Sequence, residues 1–299
     1  MDSAFRGTIK AQSAMEYLMT YGWAILIIAV VLGALFELGV FSGTFFMPHV
    51  LPGSCHVFRP YGPRTVGSIN LEGECQGALP QYVAEMQNPT GSVRIEPTSY
   101  ISMANPNGFS DQFTASVWVN VMATGSGSDN KQPIFSMDCG HIFEINYNSS
   151  GRGTFDVYST STGVSSGPLI ASFGKWYNLV ETYSSGIIKF YVNGAYVNQT
   201  TSSGSLNPIG GLNISNEGGC ADSLTGLVSN AQLYNASLSA NDVYALYSEG
   251  IGGAPIGLGN LVGWWPLNGN ANDYSGNNND GTASNVIYTT NWESGYTQP

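Results

Sequence analysis

Charged residues are scarce in this chain, and basic residues are the scarcest of all. Only 10% of the 299 residues are charged, and 9 Lys and Arg stand against 20 Asp and Glu, which gives a formal net charge of -11. This balance excludes a nucleic-acid partner, because phosphate binding needs clustered Lys and Arg. Disorder is excluded as well, since 42% of the residues are hydrophobic and 12% are aromatic. We therefore expect a folded protein with an acidic exterior.

Cysteine is also rare, with 4 residues and no Cys-x-x-Cys pair. The missing pair argues against a zinc site. All the cysteines fall in the part of the chain that we expect to be exported, where an even number favours disulfides over metal. Order and spacing suggest the pairs Cys55–Cys75 and Cys139–Cys220, although three pairings can be drawn from these residues.

The chain contains one long apolar run without a charged residue, Tyr17–Phe36. At about 1.5 Å per residue a helix of this length spans roughly 30 Å, which is the thickness of a bilayer core. Arg6 and Lys10 precede the run, and no Lys or Arg follows before Arg59. The positive-inside rule then predicts a cytoplasmic N-terminus and an extracellular remainder. We expect the whole helix to extend from about residue 13 to residue 41.

The sequence beyond this helix predicts a connector and then an antiparallel β-sandwich. Residues 42–98 are rich in proline and contain one predicted strand, Gln81–Met86. From about residue 99 short strands alternate with turn signals, and Phe113–Val121 places its apolar residues on one face with period two. Asn193-Gly194 suits the two left-handed positions of a type I′ hairpin turn. Repeated strands without crossover helices favour a sandwich. Together with the long N-terminal helix, this sandwich gives a predicted fold class of α+β.

Two further local patterns lie near the C-terminus. Ser239 is a predicted N-cap with Asp242 three residues on, which starts a short helix. Residues 260–286 begin as a Trp-rich strand and continue as a loop of Asn, Asp and Gly. Because neighbouring residues of a strand point to opposite faces, we expect one of Trp264 and Trp265 in the core and the other at the surface.

Residues 99–299 resemble the laminin-G-like, concanavalin A-like jelly roll. The resemblance rests on "FTASVWVNV", on the hairpin "KWYNLVETYSSGIIKFYVNGAYV" and on "LTGLVSNAQLYNASLSANDVYALYSEG". The segment "LVGWWPLNGNANDYSGNNNDGTASNV" resembles the strand that usually starts such domains, but here it follows the others. The resemblance implies a circularly permuted sandwich in which this last strand fills the place of the first. The alternative is donor-strand exchange with a neighbouring subunit.

Calcium and glycan binding are the ligand roles that this resemblance implies. The Asn/Asp loop offers oxygen ligands of the kind that calcium prefers, in Asp273, Asn277 and Asp280. The alternative is that these side chains only cap turns, as Asx motifs do. Apart from these, acceptor sequons for N-glycosylation occur at Asn148, Asn198, Asn213 and Asn235.

Enzymatic activity is not expected. The jelly-roll class includes glycosidases, but no Glu-x-Asp-x-x-Glu run places paired acids on one strand face. Glu144 and Glu181 are isolated on different predicted strands, and Glu217 lies in a predicted loop. The chain has 3 histidines, which gives little support to Ser-His-Asp catalysis.

The N-terminal residues resemble an archaeal type IV pilin precursor with a class III signal peptide. Lys10-Ala11 followed by Gln12 resembles the site of the prepilin peptidase, and "QSAMEYLMTYGWAIL" fits the family. Cleavage after Ala11 makes Glu16 the fifth mature residue. Its carboxylate could then pair with the new α-amine at Gln12, of its own or a neighbouring chain, when mature helices pack away from water. The alternative is that Glu16 is an ordinary flanking charge at a membrane interface.

The expected organisation follows: a leader over 1–11, a pilin-like helix over 12–41, a connector over 42–98 and a sandwich over 99–299. We expect a structural subunit of an archaeal type IV pilus-like surface filament, homopolymeric through its helices and inserted in the membrane before assembly. Its partners would be the prepilin peptidase, the pilus assembly machinery and a carbohydrate or other surface ligand bound by the sandwich. The alternative is a monomeric, membrane-anchored, lectin-like protein of the cell surface.

Overall fold

The computed structural model describes a helix and most strands of a β-sandwich. The described residues are 21–32, 79–87, 99–104, 112–123, 131–137, 141–147, 153–159, 162–165, 172–201, 211–216 and 223–299. The chain divides into two compact units, Met1–His49 and Val50–Pro299.

The first unit contains helix α1, which is described over residues 21–32. Its sequence is apolar on all sides, and its large apolar side chains are exposed. The rest of the helix predicted over 13–41 lies outside the described residues. In the part of the chain that the structure describes, no helix has the length and hydropathy of a membrane span.

The second unit is an antiparallel sandwich of two sheets. Its strands are β1 (Val83–Met86), β2 (Tyr100–Met103), β3 (Gln112–Val121), β4 (Lys131–Met137), β5 (His141–Tyr147), β6 (Gly153–Ser159), β7 (Thr162–Ser165), β8 (Trp176–Ser184), β9 (Ile187–Val192), β10 (Ala195–Thr201), β11 (Leu212–Ile214), β12 (Gly226–Tyr234), β13 (Leu261–Trp265), β14 (Gly281–Ser284) and β15 (Ile287–Thr289). The 8-stranded sheet has the order β10-β9-β8-β3-β12-β1-β15, with β13 also paired to β12, and the 7-stranded sheet has the order β14-β2-β11-β4-β5-β6-β7. The antiparallel sandwich that the sequence predicted is confirmed.

The main core lies between the two sheets. The alternate residues of β3 that the period-two pattern selected, Phe113 to Val121, all belong to this core. The other face of β3 is buried as well, which alternation alone does not predict, because further elements cover the outer side of the 8-stranded sheet. The strand is therefore enclosed on both faces.

The β9–β10 hairpin turns as its sequence predicts. Asn193 has φ 51° and Gly194 has φ 73°, so both central residues take the left-handed conformation of a type I′ turn. Tyr191 and Tyr196 face each other across the two strands. The hairpin ends in β10, which is the edge strand of its sheet and is largely exposed.

Helix α2 (Ala240–Ser248) covers part of the outer face of the 8-stranded sheet. Ser239 and Asp242 form the predicted capping box: the Asp242 N–H donates to Ser239 Oγ at 3.2 Å, and the Ser239 N–H donates to the Asp242 carboxylate at 3.0 Å. Val243 packs with residues of β8 and β9, and Leu246 packs with residues of β12 and β13.

The C-terminal strand β13 pairs with β12 of its own chain. β1 pairs with the same edge of β12 but with its first residues, 226–228, whereas β13 pairs with residues 231–234. A bulge near Asn230, which has φ 51°, separates the two segments. The late strand thus pairs within the sandwich of its own chain, in line with the first of the two expectations. The sandwich also includes β1, which lies within the stretch predicted as connector, so its first described strand precedes residue 99.

A C-terminal strap, residues 290–299, also covers the outer face of the 8-stranded sheet. The Trp176 indole N–H donates to the Trp292 carbonyl at 2.8 Å, and the Asn120 amide donates to the Ser294 carbonyl at 3.3 Å. Tyr296 lies edge-on to Trp118 with ring centroids 5.7 Å apart. These contacts explain why the outer face of β3 is buried.

Candidate functional site

Many of the predicted site residues lie outside the described residues. They are Lys10, Ala11, Gln12, Glu16, Cys55, Cys75, Cys139, Cys220 and Asn148. Leader processing, the Glu16 ion pair and the disulfide pairings therefore stay predictions.

The Asn/Asp loop after β13 is closed by its own hydrogen bonds. Asp273 is only 1% exposed, and its carboxylate accepts from the backbone N–H groups of Trp264, Ser275 and Asn279 at 2.8–3.0 Å and from the Ser275 hydroxyl at 2.8 Å. Both carboxylate oxygens are therefore occupied by donors. This is the Asx-capping arrangement that the sequence left as an alternative to calcium.

The other two residues predicted as calcium ligands take part in the same network. The Asn277 amide donates to the carbonyls of Leu261 and Val262 at 2.9 and 3.0 Å, and Asp280 accepts from the backbone N–H of Asp273 at 3.0 Å. A calcium ion at this loop would have to displace donors from Asp273. Among the described residues no group of three or more His, Cys, Asp or Glu is placed to hold a metal. Calcium binding stays a prediction.

Trp264 corrects one expectation from the sequence. Trp265 is in the main core, as expected of one of the pair, but Trp264 is also buried, with 2% exposure, and not at the surface. Its indole N–H donates to Asn230 Oδ1 at 2.8 Å beneath a cover that includes Leu246 and Ala254. The outward face of β13 is therefore also packed against other parts of the chain and is not exposed to solvent.

The two isolated strand acids lie in different sheets. Glu181 points into the main core from β8, between Ala115 and Phe190, and its burial raises its pKa to about 8. Glu144 lies on β5 and is also buried. The register places the backbone of Glu144 opposite that of Asp156 in β6. Glu144 and Glu181 do not share a face.

The sequons differ in exposure. Asn198 is exposed on β10 and Asn235 is half-buried after β12, whereas Asn213 is only 9% exposed in β11, between β2 and β4. A glycan needs an accessible amide nitrogen, so the geometry favours Asn198 and Asn235 over Asn213. Glycosylation at each of them stays a prediction.

A tyrosine-rich surface lies where the β9–β10 hairpin meets α2. We call it the tyrosine surface and define it by Tyr196, Tyr244, Lys189 and Gln199, whose side chains are all exposed. Tyr196 is 52% exposed and Tyr244 is 61% exposed. Lys189 pairs with Gln199 in the register of the two strands. The sequence analysis missed this surface, because the tyrosines come from separate elements and their meeting depends on where α2 docks.

The buried ring of Tyr191 supports Tyr196, and the half-buried ring of Tyr247 supports Tyr244. The Tyr196 ring packs edge-on to Tyr191, with centroids 5.7 Å apart, and Tyr244 contacts Tyr247 at 6.5 Å. Tyr247 in turn stacks on the buried Trp118 at 5.7 Å. A Cβ atom added to Gly194 would lie 3.0–3.1 Å from atoms of Tyr244 and Tyr247, so a larger residue there would require these side chains or the helix to shift.

Comparison with known proteins agrees with this fold. Residues 96–244 match the family model described as the concanavalin A-like lectin/glucanases superfamily. Among solved structures, a protein of Bacteroides ovatus described as carbohydrate-binding superposes with a TM-score of 0.55 and 18% identity, over 71% of this chain and 60% of its own. The native heptameric SAP-like pentraxin of Limulus polyphemus superposes with a TM-score of 0.50 and 18% identity, over 70% of this chain and 94% of its own. No curated protein sequence matches the chain.

The present chain therefore spans about 60% of the length of the Bacteroides protein. At this identity the structural matches establish the fold alone. Residues 96–244 and the strands around them form a concanavalin A-like jelly-roll sandwich.

Proposed function

We propose that the protein is a structural subunit of an archaeal type IV pilus-like surface filament, and that its jelly-roll domain binds glycans on the outside of that filament. The N-terminal sequence supports the first part of the proposal, and the lectin-like fold supports the second. In this proposal the N-terminal helix mediates assembly of the filament, and the jelly-roll domain binds the ligand.

The exposed apolar surface of α1 carries the filament proposal. Eight large side chains of this helix, Tyr21, Trp23, Ile25, Leu26, Ile27, Ile28, Val30 and Val31, are each 50–66% exposed. Fully burying one such aliphatic side chain is worth about 1.5–3 kcal/mol, so a helix apolar on all sides needs lipid or other helices around it. A membrane supplies the first environment before assembly, and a bundle of identical helices supplies the second in a filament.

Glu16 gives this bundle a preferred axial position. Cleavage between Ala11 and Gln12 creates a positive α-amine close to the apolar run, and packing the helices would remove that amine from water. An unpaired buried charge costs several kcal/mol, so a register in which the Glu16 carboxylate meets the amine of a neighbouring chain is favoured over others.

The mature N-terminus and the polymer test this proposal together. We expect mass spectrometry of surface-sheared material to find a chain that begins at Gln12, and electron microscopy to show fibres that contain it. Glu16→Ala should be processed or assembled much less efficiently. Glu37→Ala is the matched control, because it removes the acid at the other end of the apolar run and should leave the fibres intact.

The competing function, a monomeric membrane-anchored lectin, predicts different results. It requires a detergent-soluble monomer and no fibres. An intact Met1 on such a monomer would refute the filament proposal, while normal fibres from Glu16→Ala would refute the ion-pair register and leave the filament itself standing.

A further inference from the structure

We propose that the tyrosine surface is a binding site for hexopyranose-containing glycans. This inference rests on the proposed glycan binding of the jelly-roll domain and specifies where on that domain the ligand is held. The site lies on the α2 side of the sandwich, on the outer face of the 8-stranded sheet.

The exposed tyrosine rings provide the apolar part of such a site. Tyr196 and Tyr244 leave 52% and 61% of their area open to water, and among the described residues of the sandwich they are the most exposed tyrosines. A tyrosine offers a rigid, flat, amphipathic contact area at low entropic cost. One face of a gluco- or galactopyranose ring carries axial C–H groups, and that face can pack on a phenol ring while its hydroxyls stay hydrated.

Packed neighbours support both rings in the structure. Tyr244 sits on a capped helix above Gly194, and Tyr196 is held by Tyr191, which is 3% exposed. Tyr191 itself packs against Val180 and Val243 beneath α2. These contacts limit the freedom of the two rings, which lowers the free-energy cost of ordering the protein when a glycan binds.

Polar groups for the sugar hydroxyls lie on the same face of the sheet. Lys189 is two residues from Tyr191 on β9, so its side chain leaves the strand on the same side, and Gln199 lies opposite it on β10. An ammonium group donates hydrogen bonds, and an amide both donates and accepts them. Aromatic platforms beside a few donors and acceptors suit a ligand that has an apolar ring face and a polar rim.

The test uses the full-length protein in a zwitterionic detergent, because an alkyl glycoside would compete for the site. The wild type is screened on an array that includes gluco- and galacto-oligosaccharides, and the Kd of the best binder is then measured by calorimetry. We expect Tyr196→Ala and Tyr244→Ala each to raise this Kd about tenfold, a value typical of losing one stacking ring. Tyr196→Phe and Tyr244→Phe should keep the Kd within about threefold, since they retain the ring.

Ile287→Ala is the matched control. Ile287 is also a large exposed apolar residue, 49% exposed, but it lies on β15 at the opposite edge of the same sheet, and its truncation should leave the Kd unchanged. Equal thermal midpoints for all variants establish that each is folded. A glycan that binds both alanine variants as tightly as the wild type would overturn this site while sparing the proposed lectin function. Absence of any binding by the folded wild type would overturn both.

Discussion

Glu181 shows how a single residue makes the stability of this protein depend on pH. It is 4% exposed on the core side of β8, and desolvation raises its pKa from 4.5 to about 8. The folded protein therefore holds a proton on this carboxyl at neutral pH, which the unfolded chain releases. The stabilising contribution of the protonated form is fully present below pH 4.5 and is lost as the pH rises towards 8.

Replacing Glu181 by glutamine should remove this dependence. Between pH 4.5 and about 8 a single such group costs about 1.4 kcal/mol of unfolding free energy per pH unit, so Glu181→Gln should be more stable than the wild type at pH 8 and should show a flatter profile. Chemical denaturation from pH 4.5 to 9 measures the effect, and the exposed Glu293→Gln serves as control. Parallel profiles for wild type and Glu181→Gln would contradict the buried, neutral carboxyl.

The role of Asp273 and the burial of Trp264 could not be predicted from the sequence around each residue. Sequence spacing offered Asp273 either as a calcium ligand or as a turn cap, and could not choose between them. The choice depends on three backbone N–H groups that the fold brings to the carboxylate, one of them from β13. One of Trp264 and Trp265 was expected at the surface because alternation describes a single strand, whereas the burial of Trp264 depends on α2 and the following segment.

At the scale of elements, the β9–β10 hairpin and helix α2 meet at Gly194. The turn needs a left-handed residue there, with φ 73°, and the helix needs the same residue to have no side chain, because Tyr247 Cβ would lie 3.0 Å from an added Cβ. Gly174 provides a direct comparison. It has φ 72°, but an added Cβ there would meet nothing within 4 Å.

These two glycines separate the cost of backbone conformation from the cost of crowding. Gly174→Ala should lose about 1–2 kcal/mol, the cost of a left-handed alanine. Gly194→Ala should lose that amount and about 1–3 kcal/mol more, because the helix must move to admit the methyl group. Urea denaturation of both variants gives the difference. Equal losses would mean that the hairpin does not pack tightly on α2.

Local signals predicted the elements well, and their docking poorly. Asn193-Gly194 and the pair Ser239 and Asp242 specify a turn and a cap through contacts within a few residues, so both were found from the sequence. The tyrosine surface was missed because no local pattern relates Tyr196 to Tyr244. The bulge at Asn230, which separates the part of β12 that pairs with β1 from the part that pairs with β13, was missed for the same reason.

At the scale of the whole molecule, the C-terminal strap closes the sandwich beside its first described strand. β15 pairs with β1, so β1 lies between β12 and β15, and the strap follows β15 directly. Trp292 anchors the strap, with 3% exposure, in a cluster that also contains Trp118, Trp176 and Val83 of β1. The stability of β1 should therefore depend on a side chain near the opposite end of the sequence.

Trp292→Ala tests this dependence. Truncating a buried tryptophan costs about 3–5 kcal/mol, and here the loss should also loosen β15 and expose β1. We expect a lower urea midpoint and faster hydrogen exchange in residues 83–86, whereas the neighbouring, exposed Glu293→Ala should change neither. Destabilisation without faster exchange at β1 would show that Trp292 stabilises only the outer cluster. Faster exchange at β1 would show that the strap also secures the first described strand of the sandwich.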